Sequence, residues 1–395
     1  MTEPFLITKI QLKHFRSIGS CSLAPGQLAI LVGPNGSGKS NVLDSLRLTS
    51  QALRENLDNA LRERGGISEV RRRSNGHPTH FHISLEFCQG VMNGSYSFEV
   101  GAVANGGFVV RREECRIIRG AFDPERHFFE IHNGEVSSSS VSHTPRLVGD
   151  RLGLVAFSGL DEFSAVFDGL TGIEVFNLYP DAMRRPQQPD PGDVLRRDGS
   201  NVSSVLERLQ RQDQKVKKRI ESYLSSIVPG VQSVNRKSVG NWESLEFFQK
   251  VEGARSAWRF PSSSMSDGTL RALGVLMALF AGSGSRLSPI GIEEPESALH
   301  PAASGALLDA IRDATKERQV FLTSHSPDLL DSEDIRPEEI FAVRSQSGNT
   351  FVDVPDHAAM SALRNSLFTA GELVRADQMF PQAMLMSQQM LWDGE

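Results

Sequence analysis

The octet Gly33-Pro34-Asn35-Gly36-Ser37-Gly38-Lys39-Ser40 constrains the fold of this chain more than any other feature. It follows the apolar run Leu28-Ala29-Ile30-Leu31-Val32, which reads as a buried strand. It precedes the stretch Asn41 to Arg64, where Val42, Leu43, Leu46, Leu53, Leu57 and Leu61 keep helical spacing. Strand, glycine-rich loop and helix in that order make a phosphate cradle. The glycines let consecutive backbone N–H groups turn inward around phosphate oxygens, and the helix N-terminus adds the positive end of its dipole. The octet fits GxxxxGK[ST], and in this context the alternative of a merely flexible Gly/Ser loop is set aside. Lys39 is expected to reach the β- and γ-phosphates of a nucleotide, and the Ser40 hydroxyl to ligate Mg²⁺.

The chain has 395 residues, 39% of them hydrophobic, enough for a sizeable core in one elaborated domain or two lobes. Cys21, Cys88 and Cys115 are scattered, with no CxxC pair, which predicts free thiols in a reducing compartment and no zinc site. Met1 to Phe15 lacks the apolar core of a secretory signal, and the longest apolar stretch, Leu273 to Gly282, is about half the roughly 18 residues that suggest a membrane span. A cytoplasmic protein without a membrane partner is expected. The net charge of −6 argues against indiscriminate coating of nucleic acid, leaving Arg71-Arg72-Arg73 and Lys215-Lys217-Lys218-Arg219 as candidate local faces for DNA.

Along the chain, β-type runs at His82–Phe87, Tyr96–Val100, Phe108–Arg111 and Cys115–Ile118 predict an antiparallel lobe over about 80–135. A helical insertion follows over about 160–230, its last helix stopping at Pro229-Gly230, and then a hairpin around Leu245–Val251 and Ala257–Phe260. From about 260 to 356 helix and strand alternate, as in a parallel α/β sheet. The segment 357–395 is read as a helical tail rich in methionine. Its part from Gln378 to Trp392 either docks a second protein or folds back onto the head's own sheet, and apolar spacing does not distinguish the two.

Three further motifs carry chemistry. Pro289 to Ile292 leads into Glu293-Glu294-Pro295-Glu296, where the first carboxylate suits the Mg²⁺ shell and the second the polarisation of an attacking water. Upstream, Ser264-Met265-Ser266-Asp267-Gly268-Thr269 opens the apolar helix Leu270–Phe280, either as an ordinary N-cap or as a phosphate-ready helix terminus. Downstream, the strand Gln319–Leu322 runs into Thr323-Ser324-His325-Ser326-Pro327.

That order resembles the P-loop, signature, Walker B, D-loop (Ser297-Ala298-Leu299-His300) and switch histidine of ABC-type ATPase heads. Lys13-His14-Phe15-Arg16-Ser17-Ile18, Asn41 after the P-loop and the run Glu293 to Pro301 are similar to the RecF/SMC/OLD-like branch, the AAA-type ATPases of prokaryotic defence and repair systems. The resemblance spans about Ile7 to Leu330. It implies an α/β P-loop NTPase head over 1–356 that uses ATP and Mg²⁺. Ser40 and Glu293 would hold the metal, Glu294 and His325 would act in catalysis, and Asn41 would join the nucleotide loop. Ser266 and Gly268 would meet the γ-phosphate on a second copy, giving an ATP-dependent homodimer. Glu293 departs from the aspartate usual in transporters, and the Q-loop glutamine is not placed, Gln89 and Gln187 being the candidates. A transporter motor is disfavoured by the Ser-Asp-Gly-Thr signature and by the long interval from P-loop to signature. Little follows Phe351–Val354 to build the Toprim nuclease of OLD enzymes, so a separate effector such as a nuclease, in antiviral defence, is the expected partner. The alternatives are a RecF/SMC-like DNA repair ATPase and a slow-turnover ATP-gated scaffold.

Overall fold

The computed structural model describes residues 3–73, 78–103, 107–120, 124–282 and 287–386. Its strands are β1 (Leu6–Phe15), β2 (Ile18–Leu23), β3 (Leu28–Val32), β4 (His80–Gln89), β5 (Met92–Ala102), β6 (Phe108–Arg119), β7 (Glu125–His132) and β8 (Glu135–Ser139). They continue with β9 (Glu174–Phe176), β10 (Val231–Val239), β11 (Trp242–Gln249), β12 (Trp258–Pro261), β13 (Ile290–Glu293), β14 (Val320–Ser324), β15 (Ile340–Gln346) and β16 (Asn349–Asp353). One 13-stranded sheet runs β8-β7-β6-β5-β4-β1-β2-β16-β15-β3-β14-β13-β9, and β10-β11-β12 form a small antiparallel sheet.

The parallel block β15-β3-β14-β13-β9 carries the site. Leu28 to Val32 are all buried because the block is covered on both faces. Leu28, Ile30 and Val32 pack with the helices Val202–Gln212, Gln214–Ile227, Asp267–Phe280 and Ser304–Thr315. Ala29 and Leu31 face the opposite way, into the core under the P-loop helix Lys39–Arg54 and the helix Asp161–Thr171.

The antiparallel lobe is continuous with that block rather than a separate sheet, because β1 pairs with β2 along one edge and with β4 along the other. Two of its expected runs, Phe108–Arg111 and Cys115–Ile118, are one strand, β6. The intervening Arg112-Glu113-Glu114 reads as a break, yet Glu113 is buried and fully hydrogen-bonded. Its Oε1 accepts from the Tyr96 hydroxyl at 2.9 Å and Leu154 N–H at 2.8 Å, and its Oε2 from Gly153 N–H at 2.5 Å.

The expected tail is packed on the head through Ala383, whose N–H donates to Asp353, and Leu385 and Met386 beyond it are exposed. Helices His357–Arg364 and Ala370–Arg375 lie against the head, Met379 is 1% exposed, and the Arg344 guanidinium donates to the Met379 carbonyl at 3.0 Å. Phe380 and Gln382 bond the backbone of Asp356 and Val354. Of the docking segment Gln378–Trp392, residues 387–392 lie outside the described residues.

The two basic clusters are partly consumed internally. Arg71 donates to the Pro78 carbonyl, Arg73 pairs with Glu69, Lys217 with Glu221, and Arg219 with Asp313 and Glu317. No described helix is long and apolar enough to cross a membrane.

Candidate nucleotide site

The P-loop leaves β3 and turns back into its helix at Gly38, the N-cap, with φ 100°. A side chain there would be strained by that φ, and its Cβ would stand 2.5 Å from Thr350 Oγ1. Thr350, on β16, clamps the loop: its hydroxyl donates to the Ser37 carbonyl at 3.0 Å and lies 2.7 Å from Ser17 Oγ. Asn41 Nδ2 donates to the same Ser17 oxygen at 2.7 Å, so Asn41 and the opening hairpin brace the loop from outside. Gly33 abuts the Val343 carbonyl of β15, whereas Pro34, Asn35 and Gly36 are exposed at the rim. Lys39 is buried and its Nζ donates to the carbonyls of Gly33 at 2.9 Å and Pro34 at 3.1 Å. Burial lowers the pKa of this ammonium, and Glu294 and Glu296 pull it back up.

β13 lies beside β14, one strand away from β3, and delivers its acids to the same end of the sheet. Ser40 Oγ donates to Glu293 Oε2 at 2.9 Å, which brings together two oxygens from residues 253 positions apart. Glu294 has φ 45°, a backbone strain of about 1–3 kcal/mol. It is held by its N–H donating to Thr323 O and Oγ1, each at 3.1 Å. Its Oε1 lies 3.2 Å from His325 Nδ1, at the end of β14. Glu296 is buried with Oε1 accepting from Ser324 Oγ at 2.6 Å, and burial pushes its carboxyl above the usual range.

Ser266 caps the helix Asp267–Phe280, its hydroxyl accepting from Thr269 N–H at 3.2 Å. Gly268 packs on the D-loop, where a Cβ would meet the Ala298 carbonyl at 2.5 Å. These contacts belong to the signature helix and the D-loop and do not reach the P-loop.

Two residues in the site escape sequence reasoning. Arg271 is buried in the signature helix and donates to the carbonyls of Glu293 at 2.6 Å and Glu294 at 2.8 Å, tying that helix to the acidic turn. A lone arginine in an otherwise apolar helical run is the signal that marks it. Arg197, in the irregular stretch after β9, donates to Glu293 Oε1 at 2.9 Å, and nothing local in the sequence points to it. The Q-loop candidates are engaged elsewhere: Gln89 with the Glu3 carbonyl, Gln187 with Ser204 and the backbone of Glu243. The residue that follows β9, the strand next to β13, is Asn177.

The site fits a Mg²⁺–nucleotide. Ser37 Oγ is buried inside the loop with no partner among the described residues, and Ser40 and Glu293 offer the hydroxyl and carboxylate that Mg²⁺ takes alongside phosphates and water. Among the described residues no group of three or more His, Cys, Asp and Glu could form an all-protein metal site.

Phosphate loop, paired acids, capped helix and histidine are set together on a P-loop ATPase head whose fold is that of SMC heads. The chain belongs to the family described as "AAA domain, putative AbiEii toxin, Type IV TA system", which matches residues 28–331. Among solved structures, an Smc head bound to the C-winged helix domain of ScpA is 14% identical, with TM-score 0.52 over 88% of this chain and 97% of that one. An Smc head with an extended coiled coil, bound to the C-terminal domain of ScpA derived from Pyrococcus furiosus, is also 14% identical, with TM-score 0.51 over 92% and 100%. These similarities establish the fold. A comparison with curated proteins returned no match.

Proposed function

We propose that this chain hydrolyses ATP with Mg²⁺, and that two copies close around two nucleotides to control a separate effector. The observation that carries the reading is the convergence of Ser40, Glu293, Glu294 and His325 at one end of the parallel block. Mg²⁺ would supply charge neutralisation of the β- and γ-phosphates. Backbone N–H groups between Asn35 and Lys39 grip the phosphates, and Lys39 turns from its loop carbonyls to them. Glu294 orients and polarises the attacking water, with His325 beside it to bind the γ-phosphate. Ser266 and Gly268 complete the site of the other copy, which explains a capped, phosphate-ready helix end with no lysine of its own.

The family description, which names a putative toxin of a type IV toxin–antitoxin system, supports a role in defence; that the role runs through a separate effector, such as a nuclease, in the cytoplasm is our inference. The docking segment this reading favours is Gln378–Trp392, in which Leu385 and Met386 are exposed while Met379 is buried on the head. DNA contact falls to the cluster cations left exposed, Lys215 and Lys218, with Arg73 exposed but paired with Glu69. Glu294→Gln should bind ATP without turning it over and should dimerise with ATP in light scattering. Lys39→Ala should lose binding, and Ser266→Arg added to Glu294→Gln should stay monomeric. Wild-type turnover in Glu294→Gln would move the base elsewhere, with Glu296 next, and a monomer at saturating ATP would end the two-copy reading.

A further inference from the structure

Glu293 has both carboxylate oxygens engaged, Oε2 by Ser40 and Oε1 by the Arg197 guanidinium, each at 2.9 Å. Arg197 is anchored through its main chain, its carbonyl accepting from Asn177 N–H at 3.0 Å, while Asp198 O accepts from Tyr179 N–H at 2.9 Å. The stretch 196–198 is thereby stitched to the residues that follow β9, the strand next to Glu293. The side chain is 41% exposed and reaches the carboxylate from the rim of a cavity of about 660 Å³ that Arg47, Arg54 and Arg196 also line. A second cation drawn to Glu293 from the Ser40 side would stand within a few ångströms of this guanidinium. Two like charges at that range oppose each other, and the half-exposed arginine is the one free to move.

We propose that Arg197 is a built-in competitor for the metal acid: it holds Glu293 until Mg²⁺ with nucleotide claims the carboxylate, and its release signals metal loading to the segment 185–201. This rests on the reading of Glu293 as the metal acid. Arg197 is a positioning residue here, acting through Glu293. It sets a threshold of metal concentration below which the carboxylate stays neutralised internally, and it reports the crossing of that threshold through the main-chain bonds to Asn177 and Tyr179.

The test uses the full-length chain with Glu294→Gln to stop turnover, saturating ATP, and Mn²⁺ as the probe, its binding followed by electron paramagnetic resonance. Arg197→Ala should tighten Mn²⁺ by up to roughly fivefold, the ceiling for a half-exposed ion pair. Arg197→Lys should return affinity toward the parent. Limited proteolysis within 185–201 should rise with Mn²⁺ and ATP in the parent and be raised from the start in Arg197→Ala. A gain in metal affinity is not what structural damage produces, so unchanged or weakened Mn²⁺ binding in Arg197→Ala overturns the proposal. Glu293→Gln separates the two failures. If it leaves Mn²⁺ affinity untouched, the metal-acid reading falls; if it weakens Mn²⁺ while Arg197→Ala does not tighten it, only the competition falls.

Discussion

Glu113 makes the stability of the antiparallel wing depend on pH in a calculable way. Burial pushes its carboxyl from the ordinary 4.5 up to about 7, against the hydrogen bonds from Gly153, Leu154 and Tyr96 that favour ionisation. The folded chain therefore keeps a proton that the unfolded chain has released anywhere between those values. Folding is favoured fully below about pH 4.5 and loses up to about 1.4 kcal/mol per pH unit on the way to 7, a total of about 3 kcal/mol, with no further loss above. Glu113→Gln is neutral throughout and removes this slope. It also turns an amide N–H₂ toward the Gly153 donor, a pH-independent cost of about 1–3 kcal/mol. Urea denaturation of both proteins from pH 5 to 8 separates the contributions: the stability advantage of wild type should shrink by about 2.5 kcal/mol across the range. Parallel pH profiles would show that Glu113 titrates normally and that its hydrogen bonds outweigh its burial.

Gly38→Ala should cost about 2 kcal/mol in urea denaturation and at least tenfold in ATP affinity by calorimetry, since it combines φ 100° with a contact at 2.5 Å to Thr350. Gly36→Ala, at φ 74° with nothing within 4 Å, should lose only about 1 kcal/mol, and equal effects would mean the Thr350 clamp is irrelevant. Met379→Ala should destabilise the head by about 2–4 kcal/mol because the residue is 1% exposed, whereas Leu367→Ala, at 68%, should stay within about 0.5. A thermal melt unchanged by Met379→Ala would return the tail to the status of an appendage.

The nucleotide loop was legible in the sequence because it is local: strand, glycines, lysine and helix follow one another within some thirty residues, and the backbone chemistry of phosphate binding demands that order. The acids after β13 and the histidine after β14 were legible for a similar reason, since parallel strands end on one side of the sheet and so deliver their last residues to one edge. What the sequence concealed is non-local or contrary to composition. Arg197 meets Glu293 across 96 positions, from a stretch with no regular pattern. Glu113 breaks the apolar rhythm of β6 and is nonetheless core, because three donors from distant segments satisfy it. The basic clusters looked like surfaces for DNA; part of their charge is spent four residues away, Arg73 on Glu69 and Lys217 on Glu221, and part on remote carboxylates that only packing supplies, Arg219 on Asp313 and Glu317. The tail had two readings of equal apolar content. Only the tertiary structure brings Arg344 under the Met379 carbonyl, and a hydrogen bond of that kind has no signature along the chain because it depends on where two remote segments stop in space.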